Sequence, residues 1–240
     1  EKYEKWYGIE HKHADLFDKV VYGLVEMNRD KIKDADIIAN PGCYPTASTL
    51  GILPILKEDI ADCNSIIVDA KSGVSGAGKS LKSVTHYIEA NESMKAYGIT
   101  THRHTSEIEN NIELYTEKDG VNISFTPHLT PMKRGILSTI YVNLKQEISE
   151  KGLQGLYQNY YDDDYFVRVL PQSQSPDTKY VAGTNYCHIG LNLDQRISRV
   201  VIVSAIDNLG KGAATQAVQN MNLLFDLPET SGLKATGVFP

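Results

Sequence analysis

Cysteine is scarce in this chain of 240 residues: Cys43, Cys63 and Cys187 make an odd number at wide spacing. That pattern excludes a disulfide framework, matches no zinc-ligand spacing, and suits a reducing, cytoplasmic compartment. Positive charge is short as well. With 24 Lys and Arg against 30 Asp and Glu the net charge is −6, which argues against nucleic acid or an anionic membrane as partner. No run approaches the ~20 apolar residues of a membrane span, and no signal peptide is legible. Internal repeats, low-complexity linkers and a Gly-x-Gly-x-x-Gly dinucleotide fingerprint are all missing. The chain opens on Glu1 rather than Met, so an N-terminal portion is expected to precede it. What is left is an ordinary globular composition, 41% hydrophobic and 22% charged, enough for one large domain or two small ones.

The densest signal is Ile38-Ala39-Asn40-Pro41-Gly42-Cys43-Tyr44-Pro45-Thr46-Ala47. An apolar run, read as a short buried strand over 36–39, meets a Pro-Gly turn. Pro45 suits the first turn of a helix running from Tyr44 to about Lys57, with a kink expected at Pro54. Cys43 then stands at a helix N-terminus, where free amides and the dipole lower a thiol pKa and favour a thiolate nucleophile. The ordinary reading of a cysteine among apolar residues is a small buried hydrophobe, so neighbours must decide.

Residues 1–35 read as loop with helical fragments. Ser65–Ala70 is β-branched and strand-like, followed by the Gly/Ser loop Lys71–Lys79, which fails the P-loop spacing but can still cradle an anion. The stretch Thr101-His102-Arg103-His104-Thr105-Ser106 precedes a helix over about 107–115 that Thr105 or Ser106 can cap. If this stretch is extended, His102 and His104 share one side and Arg103 the other. Strands follow over 121–125 and 135–144, separated by a proline-punctuated loop ending in Lys133 and Arg134. Then come a helix over 150–161, the acidic Asp162-Asp163-Asp164 read as a solvated turn rather than a metal site, and strands over 166–170, 186–193 and 199–206. Asn208 marks the junction to a long helix over about 213–225, where it can cap the helix or bind a ligand. The pattern is α+β: one broad mixed or antiparallel sheet with helices on a face. Such a sheet with one open face suits a homodimer or homotetramer.

Cys43 at a helix start, a histidine pair and a Gly/Ser loop form a coherent set. A thiolate can attack an acyl carbon, helix amides can hold the oxyanion, and histidine can move the proton. Arg103, Lys133 and Arg134 can bind carboxylate or phosphate groups. From the residues alone, a thiol hydrolase and an acyl-phosphate dehydrogenase remain equally open.

AlaAsnProGlyCysTyrProThrAla (39–47) resembles the active-site signature of the N-acetyl-gamma-glutamyl-phosphate reductases of arginine biosynthesis. The resemblance continues through 69–78, HisArgHisThrSerGluIle (102–108), 125–136, 183–187 and AspAsnLeuGlyLysGlyAla (207–213). It implies a glyceraldehyde-3-phosphate-dehydrogenase-like catalytic domain over 41–206. Residues 1–40 would be the tail of a dinucleotide-binding domain, and a C-terminal helix within 207–240 would return to that domain. It also implies NADP(H) as cofactor, an acyl phosphate as small-molecule substrate, inorganic phosphate as partner, and no metal. Cys43 would form a thioester that is reduced to a thiohemiacetal and collapses to the semialdehyde. The base falls to His104, placed like the histidine of the related aspartate-semialdehyde dehydrogenases before a similar helix start, with His102 next. The resemblance sets Ser72, Gly73 and Ser75 toward the cofactor or the substrate, with Ser75 counted to the substrate beside Arg103, Lys133 and Arg134, and sets Asn208 toward the nicotinamide. The competing expectations are an aspartate-semialdehyde dehydrogenase, a Cys/His hydrolase, and a silent oligomerising fragment.

Overall fold

The computed structural model describes residues 2–238; Glu1, Phe239 and Pro240, the outermost residues of the two flanking regions expected above, lie outside the described residues. In chain order the elements are α1 (Lys2–Tyr7), β1 (Val20–Tyr22), α2 (Val25–Lys33), β2 (Ile37–Ala39), α3 (Cys43–Lys57), β3 (Ile67–Gly73), α4 (Tyr87–Ala90), β4 (Lys95–Ala96) and α5 (His104–Thr116). They continue as β5 (Ser124–Thr130), β6 (Ile136–Asn143), α6 (Glu150–Tyr160), β7 (Val167–Val169), α7 (Thr178–Val181), β8 (Cys187–Asp194), β9 (Arg199–Ile206) and α8 (Thr215–Leu224). A single wide turn, Gly210–Ala214, leads into α8.

Seven strands form one mixed sheet in the order β4-β5-β3-β6-β9-β8-β7. The β3/β5 and β7/β8 pairs are parallel, and the rest are antiparallel. β6 shows why one face is covered: Ile136, Ser138, Ile140 and Val142 are buried, while Leu137, Thr139, Tyr141 and Asn143 are half-exposed on the other side. The period-2 alternation puts one set against helices and leaves the other bare.

The covering layer is built around α3, whose residues from Tyr44 to Leu56 are all buried. A helix apolar on every side belongs inside a protein, and here it lies between β6 and β9 on one flank and α5 and α6 on the others. Pro54 does not break it. Proline removes the N–H that would serve the carbonyl four residues back, and Tyr161 Oη donates to that orphan, Leu50 O, at 2.5 Å. Tyr157 Oη donates to Gly51 O at 2.8 Å one residue on.

Several local expectations change. Lys71–Gly73 continue β3 rather than opening a loop, and β5 runs through Thr126–Thr130, where a loop was expected, instead of starting at Val121. Pro127 is tolerated because its carbonyl accepts from Tyr97 N–H on the β4 side. A strand residue's N and O point the same way, so the missing N–H faces the sparsely paired outer edge and costs β3 nothing. β2 is not a buried strand: Ile37 is 38% exposed, since the segment pairs only with β1, in parallel. Nor is the acidic turn wholly solvated. Asp164 is buried against Arg29 Nη2 at 2.7 Å, and burial pushes its carboxyl up to about 6.

Candidate active site

Gly42 is the N-cap of α3, with φ −69° and ψ 157°. Its carbonyl takes the first helical bond, from Thr46 N at 3.0 Å, and also accepts from Thr46 Oγ1 at 2.9 Å. Its own N–H donates to Glu107 Oε1 at 2.8 Å. Tyr22 Oη donates to the same oxygen at 2.8 Å, so one carboxylate fixes the residue before Cys43 to β1. A Cβ at Gly42 would meet His104 Nε2 at 2.6 Å: the histidine ring sits on this backbone. Glu107 Oε2 lies 4.0 Å from the same Nε2.

His104 is the first residue of α5, and neither Thr105 nor Ser106 caps the helix. Arg103 holds the cap position with helical angles, so the segment is a turn and the extended alternation of His102, Arg103 and His104 does not occur. Capping is done by His102 instead, whose Nδ1 accepts from His104 N–H at 3.2 Å. The two rings still meet, edge on, at 4.8 Å. His102 is enclosed by Tyr44, Tyr97 and Phe125 at 5.7, 5.5 and 5.5 Å. Burial, with help from Arg103, pulls His102 down to about 4. Burial and then the charges of His102 and Arg103 take His104 down to about 3. Both are neutral at pH 7, and His102 carries its proton on Nε2, because Nδ1 is accepting.

Cys43 is partly buried, and here the expected depression of its pKa reverses. Burial pushes the thiol up to about 11; the backbone N–H groups of Tyr44 and Cys43 pull it down, Glu107 raises it and Arg103 lowers it. The helix amides are present, but desolvation outweighs them. The resting pair is therefore thiol and neutral imidazole rather than a thiolate–imidazolium ion pair.

Of the other expected residues, Ser72, Ser75 and Asn208 gather around Gly76. Ser72 is buried, its Oγ bonded to Gly73 O at 3.1 Å. Gly73 N–H, Val74 N–H and Ser75 N–H donate to Gly135 O, Met132 O and Lys133 O. Asn208 does not cap α8: Oδ1 accepts from Gly135 N–H at 2.7 Å and Nδ2 donates to Ser75 Oγ at 3.0 Å. Lys133 and Arg103 are exposed. Arg103 lies over the Tyr7 ring at 5.7 Å. Arg134 commits its Nε to the buried Asp207 carboxylate at 3.0 Å.

A family model described as the semialdehyde dehydrogenase dimerisation domain matches residues 43–208. The chain is 59% identical over 238 residues to N-acetyl-gamma-glutamyl-phosphate reductase of Halothermothrix orenii, covering 99% of this chain and 69% of that one. This chain belongs to the N-acetyl-gamma-glutamyl-phosphate reductase family. The reductase of Acetivibrio thermocellus is 52% identical over 239 residues, with the same 69% of its length covered. Among solved structures, aspartate semialdehyde dehydrogenase II from Vibrio cholerae superposes with a TM-score of 0.70 over 90% of this chain and 71% of that one, at 17% identity. That likeness shows a shared fold: the mixed sheet of a semialdehyde dehydrogenase dimerisation domain with helices on one side.

Within this reductase-family chain, sequence reasoning passed over Glu107 and Tyr22. Glu107 was visible only as an acid early in α5; nothing in the sequence says that its carboxylate reaches Gly42, 65 residues away. Tyr44 was read as a helix residue, yet its hydroxyl lies 3.1 Å from that of Tyr97 and its ring packs on both histidines.

Proposed function

We propose that this chain carries the reductive dephosphorylation of N-acetyl-gamma-glutamyl phosphate to N-acetylglutamate 5-semialdehyde, a step of arginine biosynthesis, with Cys43 as nucleophile and His104 as acid/base. The observation that carries it is the His104 ring seated on the Gly42 backbone beside Cys43, with Glu107 bonded to Gly42 N–H. Cys43 Sγ forms a bond to the γ-acyl carbon, the carbon–oxygen bond to phosphate breaks, and inorganic phosphate leaves. The neutral His104 takes the thiol proton as attack proceeds, since a free thiolate is too costly at a site this buried. The N–H groups of Cys43 and Tyr44 lie toward the reacting centre, where they can hold the developing oxyanion. Arg103, Lys133 and the free edge of Arg134 supply positive charge for phosphate and carboxylate.

NADP(H), when bound, supplies the hydride. The Ser72–Ser75–Asn208 corner fits its nicotinamide end: Gly76 and Gly78 are exposed there, with open space beside the Gly78 backbone. On this reading residues 1–40 are the tail of a dinucleotide-binding domain, and the helix within 207–240 returns to that domain. The β1–α2–β2 unit supports that reading, because a parallel pair ordinarily belongs to a larger covered sheet. The bare face of the seven-stranded sheet, which lies within the matched dimerisation domain, is the surface on which subunits pair into a homodimer or homotetramer. No helix among the described residues is long and apolar enough to cross a membrane.

The test is phosphate-dependent reduction of NADP⁺ by N-acetylglutamate semialdehyde, run beside aspartate semialdehyde and beside NAD⁺. Turnover of the acetylated substrate with NADP⁺ supports the proposal. Preference for aspartate semialdehyde would overturn the substrate, and catalytic hydrolysis of N-acetyl-gamma-glutamyl phosphate without a nicotinamide cofactor would point to a hydrolase.

A further inference from the structure

Lys211 is fully buried, an unusual state for a lysine. Its Nζ donates to Glu26 Oε1 at 2.5 Å and to Gln219 Oε1 at 2.7 Å, and it lies over the Phe166 ring at 5.8 Å. Glu26 is 1% exposed. Such a pair repays its desolvation only partly in stability, so it calls for another use. Nothing in the chemistry above employs it. Its place in the fold is suggestive: Lys211 sits in the Gly210–Ala214 turn, and Glu26 lies in α2, four residues after Tyr22, which anchors Glu107.

The next residue, Gly212, is pressed against the nucleophile. A Cβ there would meet Cys43 Cβ at 2.8 Å and Cys43 Cα at 3.1 Å. The same turn is tied to the approach to Cys43 by Asn40 Nδ2, which donates to Ala213 O at 3.1 Å, while Asn220 Nδ2 in α8 donates to Asn40 Oδ1 at 3.1 Å. Cys43 is thus held on one flank through Tyr22, Glu107 and Gly42, and on the other by the glycine that follows Lys211.

We propose that Lys211 and Glu26 are positioning residues for Cys43: their buried ion pair fixes the Gly210–Ala214 turn, whose Gly212 backbone sets the place and enclosure of the nucleophile. The inference rests on Cys43 being the nucleophile, and its test separates the two. Removing either partner alone leaves a buried unpaired charge and endangers folding, so the central variant is the double Lys211→Met/Glu26→Gln. The pair lies outside the contacts expected for substrate, so its loss should lower kcat by about 10–100-fold with KM within about twofold. A loosened turn also uncovers Cys43, so iodoacetamide should alkylate it about tenfold faster at pH 8 as burial relaxes. Lys211→Arg, which keeps the charge, should recover part of kcat.

Leu153→Ala in α6 serves as the control, a core truncation far from the turn that lowers stability without touching Cys43. If the double variant matches that control, losing stability but keeping wild-type kcat and alkylation, the pair is merely structural and the proposal fails. Should the double variant not fold, Gly212→Ala reads the same contact with the ion pair intact, and wild-type kcat there is equally fatal. Activity surviving in Cys43→Ala would remove the nucleophile assignment itself. An inactive Cys43→Ala beside a wild-type-like double variant would remove only the positioning role.

Discussion

Replacing Gly42 by alanine adds one methyl group at the most crowded point of the site. The backbone already has φ −69° and ψ 157°, angles open to any residue, so the substitution brings no dihedral strain. Glycine is preferred to alanine at an N-cap, so the exchange itself costs up to about 1 kcal/mol of stability. The effect on the site comes from contact: the new Cβ would lie 2.6 Å from His104 Nε2, 2.9 Å from its Cε1 and 3.0 Å from Glu107 Oε2. Restoring ordinary separation requires the imidazole to retreat by roughly 0.8 Å, in a core where overpacking costs about 1–3 kcal/mol. At about 2–4 °C per kcal/mol for a chain of this size, Tm falls modestly. With His104 and Cys43 in the proposed roles, a displacement near 1 Å between them costs about 100-fold in rate. Steady-state kinetics and a thermal melt on Gly42→Ala should therefore show a large kcat loss beside a small loss of stability. A variant with wild-type kcat would refute the placement of His104 over Gly42 as functional.

Two further outcomes follow from the geometry. The rate of Cys43 alkylation by iodoacetamide should climb with pH through 8 and 9 and level only near 11, because raising the pH is what creates thiolate at a thiol held at about 11; a plateau by pH 8 would mean that helix amides, not burial, govern it. Tyr161→Phe should cost about 1–3 kcal/mol by orphaning Leu50 O, and adding Pro54→Ala in that background should return part of it, since alanine restores the N–H that proline lacks; denaturant melts of the single and double variants measure the coupling.

The local grammar around Cys43 was readable without coordinates. Asn-Pro-Gly followed by Pro45 at the start of an apolar run marks a turn and a helix entry, and α3 begins at Cys43 as that predicts. β9 was legible to the residue, because Arg199–Ile206 is β-branched and punctuated at both ends. Reading failed where distant partners override local propensity. Pro127 looked like a loop residue, yet the sheet leaves its missing N–H at a sparsely paired edge. His102 and His104 looked alike in sequence, but α5 begins between them, making one a cap and setting the other over Gly42. The Cys43 thiol was expected low from its helix position alone; its burial depends on Gly212 and neighbours that are close only after folding. Lys211 gave no sign of being buried, since its partner Glu26 stands 185 residues away.

Acylation of Cys43 with His104 as acid/base can be read by mixing the protein with N-acetyl-gamma-glutamyl phosphate while withholding cofactor, then measuring intact mass and mapping the adduct by peptide analysis. One acyl group should appear on Cys43, labile to hydroxylamine, absent in Cys43→Ala and formed far more slowly in His104→Gln. Phosphate release from the wild-type protein with no adduct on Cys43, or an undiminished adduct in His104→Gln, would contradict it.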